Sequence, residues 1–244
     1  MFLRFWSEIS TSNFKLDATS REDAKKSGIK WFPCNKGGGD RKWYGHNEYV
    51  INWLNDGEAL FNHPNSAMRN VDYYFKEGLT WSGLSASGFS ARYFPVGHVF
   101  NSAGRSMLPS KNDVHIFLGL LNSKVGDYFF GIVAPTLSFT VGNVASMPYI
   151  DVDKQVKDEV NSLVKQAVNQ TNIDWDSFET SWNFTRHPLL TDNAKSKIVT
   201  AYNKLRQIWN EAALQLKNVE EKNNRIFIDT YGLQDVITPE VDIE

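Results

Sequence analysis

The sequence predicts an α+β protein: a small mixed α/β domain followed by a helical region with one long heptad helix. Three observations carry this expectation. Short runs rich in β-branched and aromatic residues, punctuated by Gly, Pro, Asn and Asp, recur between residues 30 and 150. Apolar residues step at spacings of three and four from Ile116 onwards. Ile198, Tyr202, Leu205, Trp209, Ala212, Leu216 and Val219 then sustain an a/d heptad, the pattern of a helix pairing along a seam.

In chain order, residues 1–29 read as a linker or N-terminal segment, apolar at first and then polar and charged over 17–27. Residues 30–150 form the mixed domain. Strands are expected over 48–53, closed by the turn Asn55-Asp56-Gly57, over 73–75, over 89–94 between Gly88 and Pro95, and at Val99-Phe100. A helix over 116–132 would present Ile116, Phe117, Leu120, Leu121, Val125, Tyr128, Phe129 and Ile132 on one wide face. Leu137, Phe139 and Val141 alternate with Ser138 and Thr140 as a half-buried strand. Residues 151–244 form a helical spacer region. Val152, Val156, Val160, Leu163, Val164 and Ala167 mark its first helix, and the heptad helix follows the break at His187-Pro188, with Thr191 or Asp192 as its cap. The heptad face suits equally a helix on its own domain's core and an intermolecular coiled coil.

At 244 residues, 41% hydrophobic and 22% charged, the composition is that of an ordinary globular protein. No apolar run reaches the roughly 18 residues of a membrane span, and the start lacks the pattern of a signal peptide. Cys34 stands alone, so no internal disulfide forms, and these features fit a cytoplasmic protein. The net charge of −2 argues against a histone-like binder. Residues 1–150 nevertheless carry 15 Lys and Arg against 12 Asp and Glu, and residues 151–244 carry 11 against 16, so any polyanion site belongs in the first part.

Catalytic signatures are missing. The chain has no Gly-x-Gly-x-x-Gly after a strand, no phosphate-binding Gly-Lys-Ser/Thr loop and no Gly-x-Ser-x-Gly elbow. His46, His63, His98, His115 and His187 are too far apart for a helical metal pair. An Asn/Asp-Pro-Pro-Tyr/Phe loop, which a base amino methyltransferase needs, is ruled out because no Pro-Pro occurs.

The segment 30–45 is the most informative. It packs four cations (Lys30, Lys36, Arg41, Lys42), four rings (Trp31, Phe32, Trp43, Tyr44) and Gly37-Gly38-Gly39 into one stretch. Glycines let a backbone approach closely, Lys and Arg meet phosphates, and rings cover bases or sugars. This stretch therefore suits either a loop facing an anionic partner or one whose rings fold back onto the core.

Four segments in this order, 30–45, 74–82, 118–125 with 135–142, and 224–233, resemble the region after the catalytic domain in adenine-specific DNA methyltransferases of BREX phage-defence systems and related type II restriction-modification enzymes. Leu121-Asn122-Ser123-Lys124 also resembles the target recognition domains of type I specificity subunits. The resemblance implies a target recognition domain that grips double-stranded DNA, while S-adenosylmethionine and the flipped adenine are held by the parent's methyltransferase domain. The cofactor and catalytic loops are absent here, so the chain is expected to be a piece of a longer enzyme, without a cofactor or catalytic residue of its own. Lys30, Lys36, Arg41, Lys42 and Lys76 would then contact phosphates. Arg92 and Arg105 would do the same or pair with guanine, Asn47 and Asn52 are candidates for adenine, and Trp43, Tyr44 and Trp81 would stack or wedge. Partners would be the duplex, the parent's methyltransferase domain and other phage-defence proteins, with no membrane. A carbohydrate-binding module and a pure protein-interaction module are the alternatives.

Overall fold

Residues 2–110, 112–190 and 197–242 are described by the computed structural model. The architecture is α+β. Strands β1 (Leu3–Phe5), β3 (Tyr49–Asn52), β2 (Trp31–Asn35) and β6 (Val99–Phe100) lie side by side in that order; β2 runs antiparallel to β3 and parallel to β6. A second sheet has β4 (Gly78–Ser82) between β5 (Ala91–Phe94) and β7 (Gly104–Met107), antiparallel to both.

The first sheet packs with two short helices, α1 (Arg21–Ser27) and α2 (Leu54–Phe61), around Phe32, Trp53, Phe75 and Val99. Within the N-terminal segment, β1 lies at the sheet edge, and Ser20 caps α1 by accepting from the Asp23 amide. The expected turn is present, with Asn55, Asp56 and Gly57 all left-handed at the start of α2. The strand expected at 73–75 is absent. Phe75 has φ +69°, which no strand tolerates, so its ring turns inward beneath Trp53.

The second sheet is covered by helices α3 (Val114–Leu121), α4 (Lys124–Val133), α6 (Lys154–Asp176) and α7 (Ile198–Tyr231), and one apolar core runs from Trp43 through Ile228. That core crosses residue 150, so mixed and helical parts share one interior. The single helix expected over 116–132 is two, bent by 70°. Ser123 breaks it: its backbone is extended, and its hydroxyl caps α4 by accepting from the Gly126 amide. The expected strand at 137–141 is also not formed. Thr140 and Asn143 make a capping box that starts the short helix α5 (Val141–Ala145), leaving Leu137 and Val141 exposed and only Phe139 buried.

The motif at this bend braces three elements. Asn122 accepts from the Ala91 amide at 2.8 Å and donates to the Ala91 carbonyl at 3.0 Å, completing the free edge of β5. Asn224 accepts from the Lys124 amide at 3.0 Å, and Asn223 donates to the Gly119 carbonyl at 2.9 Å. Two of the resembling segments therefore clasp each other. Asn122→Leu should cost about 1–3 kcal/mol, because the buried Ala91 amide loses its acceptor; an unchanged denaturation midpoint would refute this role.

α6 and α7 run antiparallel, with Gln170 donating to the Ala212 carbonyl and Val160 and Asn223 meeting at Gly119. The heptad is real but only partly buried. Leu205 and Val219 are enclosed, whereas Ile198 is 77% and Tyr202 49% exposed. The reason is length: α6 ends at Asp176, before the first turns of α7 are covered. The helix begins at Ile198 after Lys197, and the expected caps Thr191 and Asp192 lie outside the described residues. No single described helix is long and apolar enough to cross a membrane.

Candidate nucleic-acid interface

β2 delivers the chain at Asn35 to the glycine loop. Gly37, Gly38 and Gly39 have φ of +76°, +122° and +58°. Two of them are required by close approach: a Cβ at Gly37 would lie 2.5 Å from the Ala103 carbonyl oxygen, and one at Gly39 would enter the His46 ring. Besides this packing, the hydrogen bonds of Gly38 and Gly39 to side chains of the second sheet run, among the described residues, through one hydroxyl. Ser82 Oγ accepts from the Gly38 amide and lies 3.0 Å from the carbonyl oxygens of both Gly38 and Gly39.

Beyond this exposed tip the chain is clamped. Trp43 joins the edge of β5, donating its amide to the Ala91 carbonyl at 2.9 Å and accepting from the Tyr93 amide at 2.8 Å. Its indole lies in the core and donates to Glu220 Oε1 at 2.5 Å. Arg41 donates to the Tyr44 carbonyl, the Thr171 carbonyl and Asp174 Oδ2, and its guanidinium sits 5.6 Å from the Trp175 ring. Lys42 donates to the Asn122 carbonyl at 3.1 Å, with Asp127 at 3.9 Å.

The structure places the other expected contact residues as follows. Trp43 and Trp81 are each 1% exposed; the Trp81 indole donates to the Phe139 carbonyl, so neither ring is placed to stack on a ligand. Tyr44 and Asn47 are buried, and burial pushes the Tyr44 phenol up to about 12. Arg92 is 1% exposed, with burial drawing its guanidinium down to about 10. Arg41 and Lys42 are spent on holding the loop to the helices. Arg105 donates to the carbonyls of Gly83 and Phe139, and Asn52 accepts from the Leu54 amide at the start of α2.

Three candidates remain on the surface. The Lys36 ammonium lies 4.2 Å from the Tyr49 ring centre, Lys76 5.1 Å from that of Tyr73, and Lys30 5.2 Å from that of Trp31. Among the described residues none of the three has a carboxylate within 4.0 Å. Cation–ring pairs of this kind can meet phosphate and cover a sugar or base.

Four residues that shape the loop carry no local sequence signal. Ser82 anchors it, and Asp174 and Glu220 receive Arg41 and Trp43 from more than 130 residues away. His46 lies beneath Gly39, its imidazole lowered to about 4 by burial and by the neighbouring Arg92 and Arg41.

No protein-family model matches the chain. It is 38% identical over 252 aligned residues to an adenine-specific methyltransferase, PglX, of Lacticaseibacillus casei (strain Zhang), covering 98% of this chain. It is 37% identical over 238 residues to another, BrxX, of Escherichia coli O9:H4 (strain HS), covering 96%. The chain spans only about a fifth of these relatives, 20% and 18% of their lengths. Over nearly its whole length this chain is homologous to one segment of the adenine-specific methyltransferases PglX and BrxX of BREX systems.

Proposed function

We propose that the chain recognises double-stranded DNA as one segment of an adenine-specific DNA methyltransferase in phage defence. The observation that carries this reading is the similarity to two adenine-specific methyltransferases over 96–98% of the chain. The Lys36–Tyr49 and Lys76–Tyr73 pairs support it, because they place positive charge beside accessible rings in the first 150 residues, with Lys30 adding a third cation over the buried Trp31. Transfer of the methyl group from S-adenosylmethionine is assigned to the remaining part of such an enzyme. The glycine loop is no cradle for that cofactor: its backbone is already closed against Ala103 and His46. The open first turns of α7 would meet the methyltransferase domain or another phage-defence protein, and the site of action would be the cytoplasm.

Duplex titration at several salt concentrations tests the DNA reading. Replacing Lys30, Lys36 and Lys76 together with alanine should weaken binding about equally across sequences. It should flatten the dependence of log K on log salt by up to about 3, or roughly 0.9 per lost phosphate contact. Arg41→Ala and Lys42→Ala should instead loosen the loop. Wild-type affinity and slope in the triple variant would remove these lysines from the interface.

A further inference from the structure

Arg41, Lys42 and Trp43 belong to the stretch of the chain richest in charge and rings, yet the DNA reading does not use them. They line one side of a cleft of about 530 Å³, whose other walls are the C-terminal end of α6 and the middle of α7. Clefts of about 300–1,000 Å³ are the size that takes a small molecule.

Three features of the lining define what fits. The first is a pair of exposed rings, Trp209 on α7 and Phe178 just beyond α6. Among the described residues neither packs on another ring. The second is cationic donors held in reserve. Arg41 is bonded through Nε and Nη2, while its Nη1 has no protein partner among the described residues. Lys42 gives one N–H to the Asn122 carbonyl, with Asp127 3.9 Å away, and an ammonium has three. The third is carboxylate oxygens. Glu220 takes the Trp43 indole on Oε1 and Asp174 takes Arg41 on Oδ2; the second oxygen of each has no donor among the described residues.

An inorganic anion would use only the cations, and a neutral sugar would leave them without an anion. A nucleotide uses all three features. Its base has flat faces for the rings and N–H groups at the edge for the carboxylates, and its phosphate suits a guanidinium beside an ammonium.

We propose that this cleft is a nucleotide site: the base lies against Trp209 and Phe178, its edge donates to Glu220 or Asp174, and its phosphate is met by Arg41 and Lys42. The internal bonds of Arg41 and Lys42 then fix these donors in place before the ligand arrives. The site goes beyond the DNA reading and needs no duplex, and Lys30, Lys36 and Lys76 do not line it. The same chemistry has two sources, a free mononucleotide and a nucleotide unstacked from a strand.

The test is calorimetric titration of the 244-residue chain with AMP, adenosine, ribose 5-phosphate and tryptophan. AMP should bind one to one. Adenosine should bind about tenfold more weakly, the loss of a charge-assisted contact, and ribose 5-phosphate should not saturate. Trp209→Leu should weaken AMP binding about tenfold, the worth of one stacked base. Ala213→Trp, at an exposed position of α7 that lines the cleft, should fill it and abolish AMP binding at an unchanged melting temperature. Should Trp209→Leu fail to fold, Phe178→Leu and Ala213→Trp carry the same test. Displacement of AMP by tetradeoxyadenylate would identify a strand nucleotide as the ligand and no displacement a free one; either keeps the site. Replacing Lys30, Lys36 and Lys76 with alanine should leave AMP binding at the wild-type level. AMP binding without duplex binding would sink the DNA reading and keep the site. Duplex binding without AMP binding would overturn the site alone. The site also falls if ribose 5-phosphate or tryptophan binds as tightly as AMP, or if AMP binding is indifferent to both Trp209→Leu and Ala213→Trp.

Discussion

Trp43→Ala is expected to lower the unfolding free energy by about 3–5 kcal/mol, the range for a large aromatic removed from a packed core. The indole is 1% exposed and belongs to the same core as Leu79, Val164, Val219 and Phe227. Its removal leaves a cavity where the second sheet, α6 and α7 meet. It also strips Glu220 of the indole donor that it accepts at 2.5 Å. The backbone bonds of residue 43 to β5 survive the substitution, so the effect reads side-chain packing alone. Denaturant unfolding followed by fluorescence and by circular dichroism provides the measurement. A change under about 1 kcal/mol, within the ordinary range for surface substitutions, would mean that the ring is not enclosed. Trp43 would then return to the surface and to the set of stacking candidates.

Acid destabilisation centred on His98 is the second large effect. His98 is 2% exposed at the start of β6, packed against Phe94 and Trp182, with Nδ1 3.2 Å from the Pro95 carbonyl oxygen and Nε2 without a partner. Burial lowers its imidazole to about 4 from the ordinary 6.5. Between those values the unfolded chain binds a proton that the folded chain refuses. The contribution of His98 to stability is therefore complete above about pH 6.5 and is lost as pH falls towards 4. The loss is about 1.4 kcal/mol per pH unit and about 3 kcal/mol in all. His46 shifts in the same direction but is only half-buried, so its share is smaller. Denaturation at steps between about pH 7.5 and 4.5 should show wild-type stability falling faster than that of His98→Phe. Parallel curves would show that the imidazole already reaches water.

The elements most legible in the sequence were those set by local pattern. The periodicity of Val160, Leu163, Val164 and Ala167 marks α6, and the β-branched and aromatic run at 48–53 contains β3. Where a competing local bond existed, periodicity failed. The apolar stripe over 116–132 continues across Ser123 although the backbone does not, because a hydroxyl cap outbids one more turn. The alternation over 137–141 was overridden in the same way by Thr140 and Asn143. Two of the resembling segments are structural clasps, Asn122 on Ala91 and Asn224 on Lys124, a role visible only in the folded chain.

By itself the sequence determined the α+β class, most of the helices, the concentration of charge, rings and glycines in 30–45, and the resemblance to adenine-specific methyltransferases. Which of those side chains face outward was decided only by the tertiary structure. Arg41 is held by Asp174, 133 residues away, and Trp43 by Glu220, 177 residues away. Among the described residues Lys36 and Lys76 have no such acid, and they stay on the surface beside exposed or half-exposed rings. A loop has no period to say which face is buried. Its exposure follows from distant acids and hydroxyls that become neighbours only when β5, α6 and α7 have packed, and that is why this segment turned all four of its rings and two of its four cations inward.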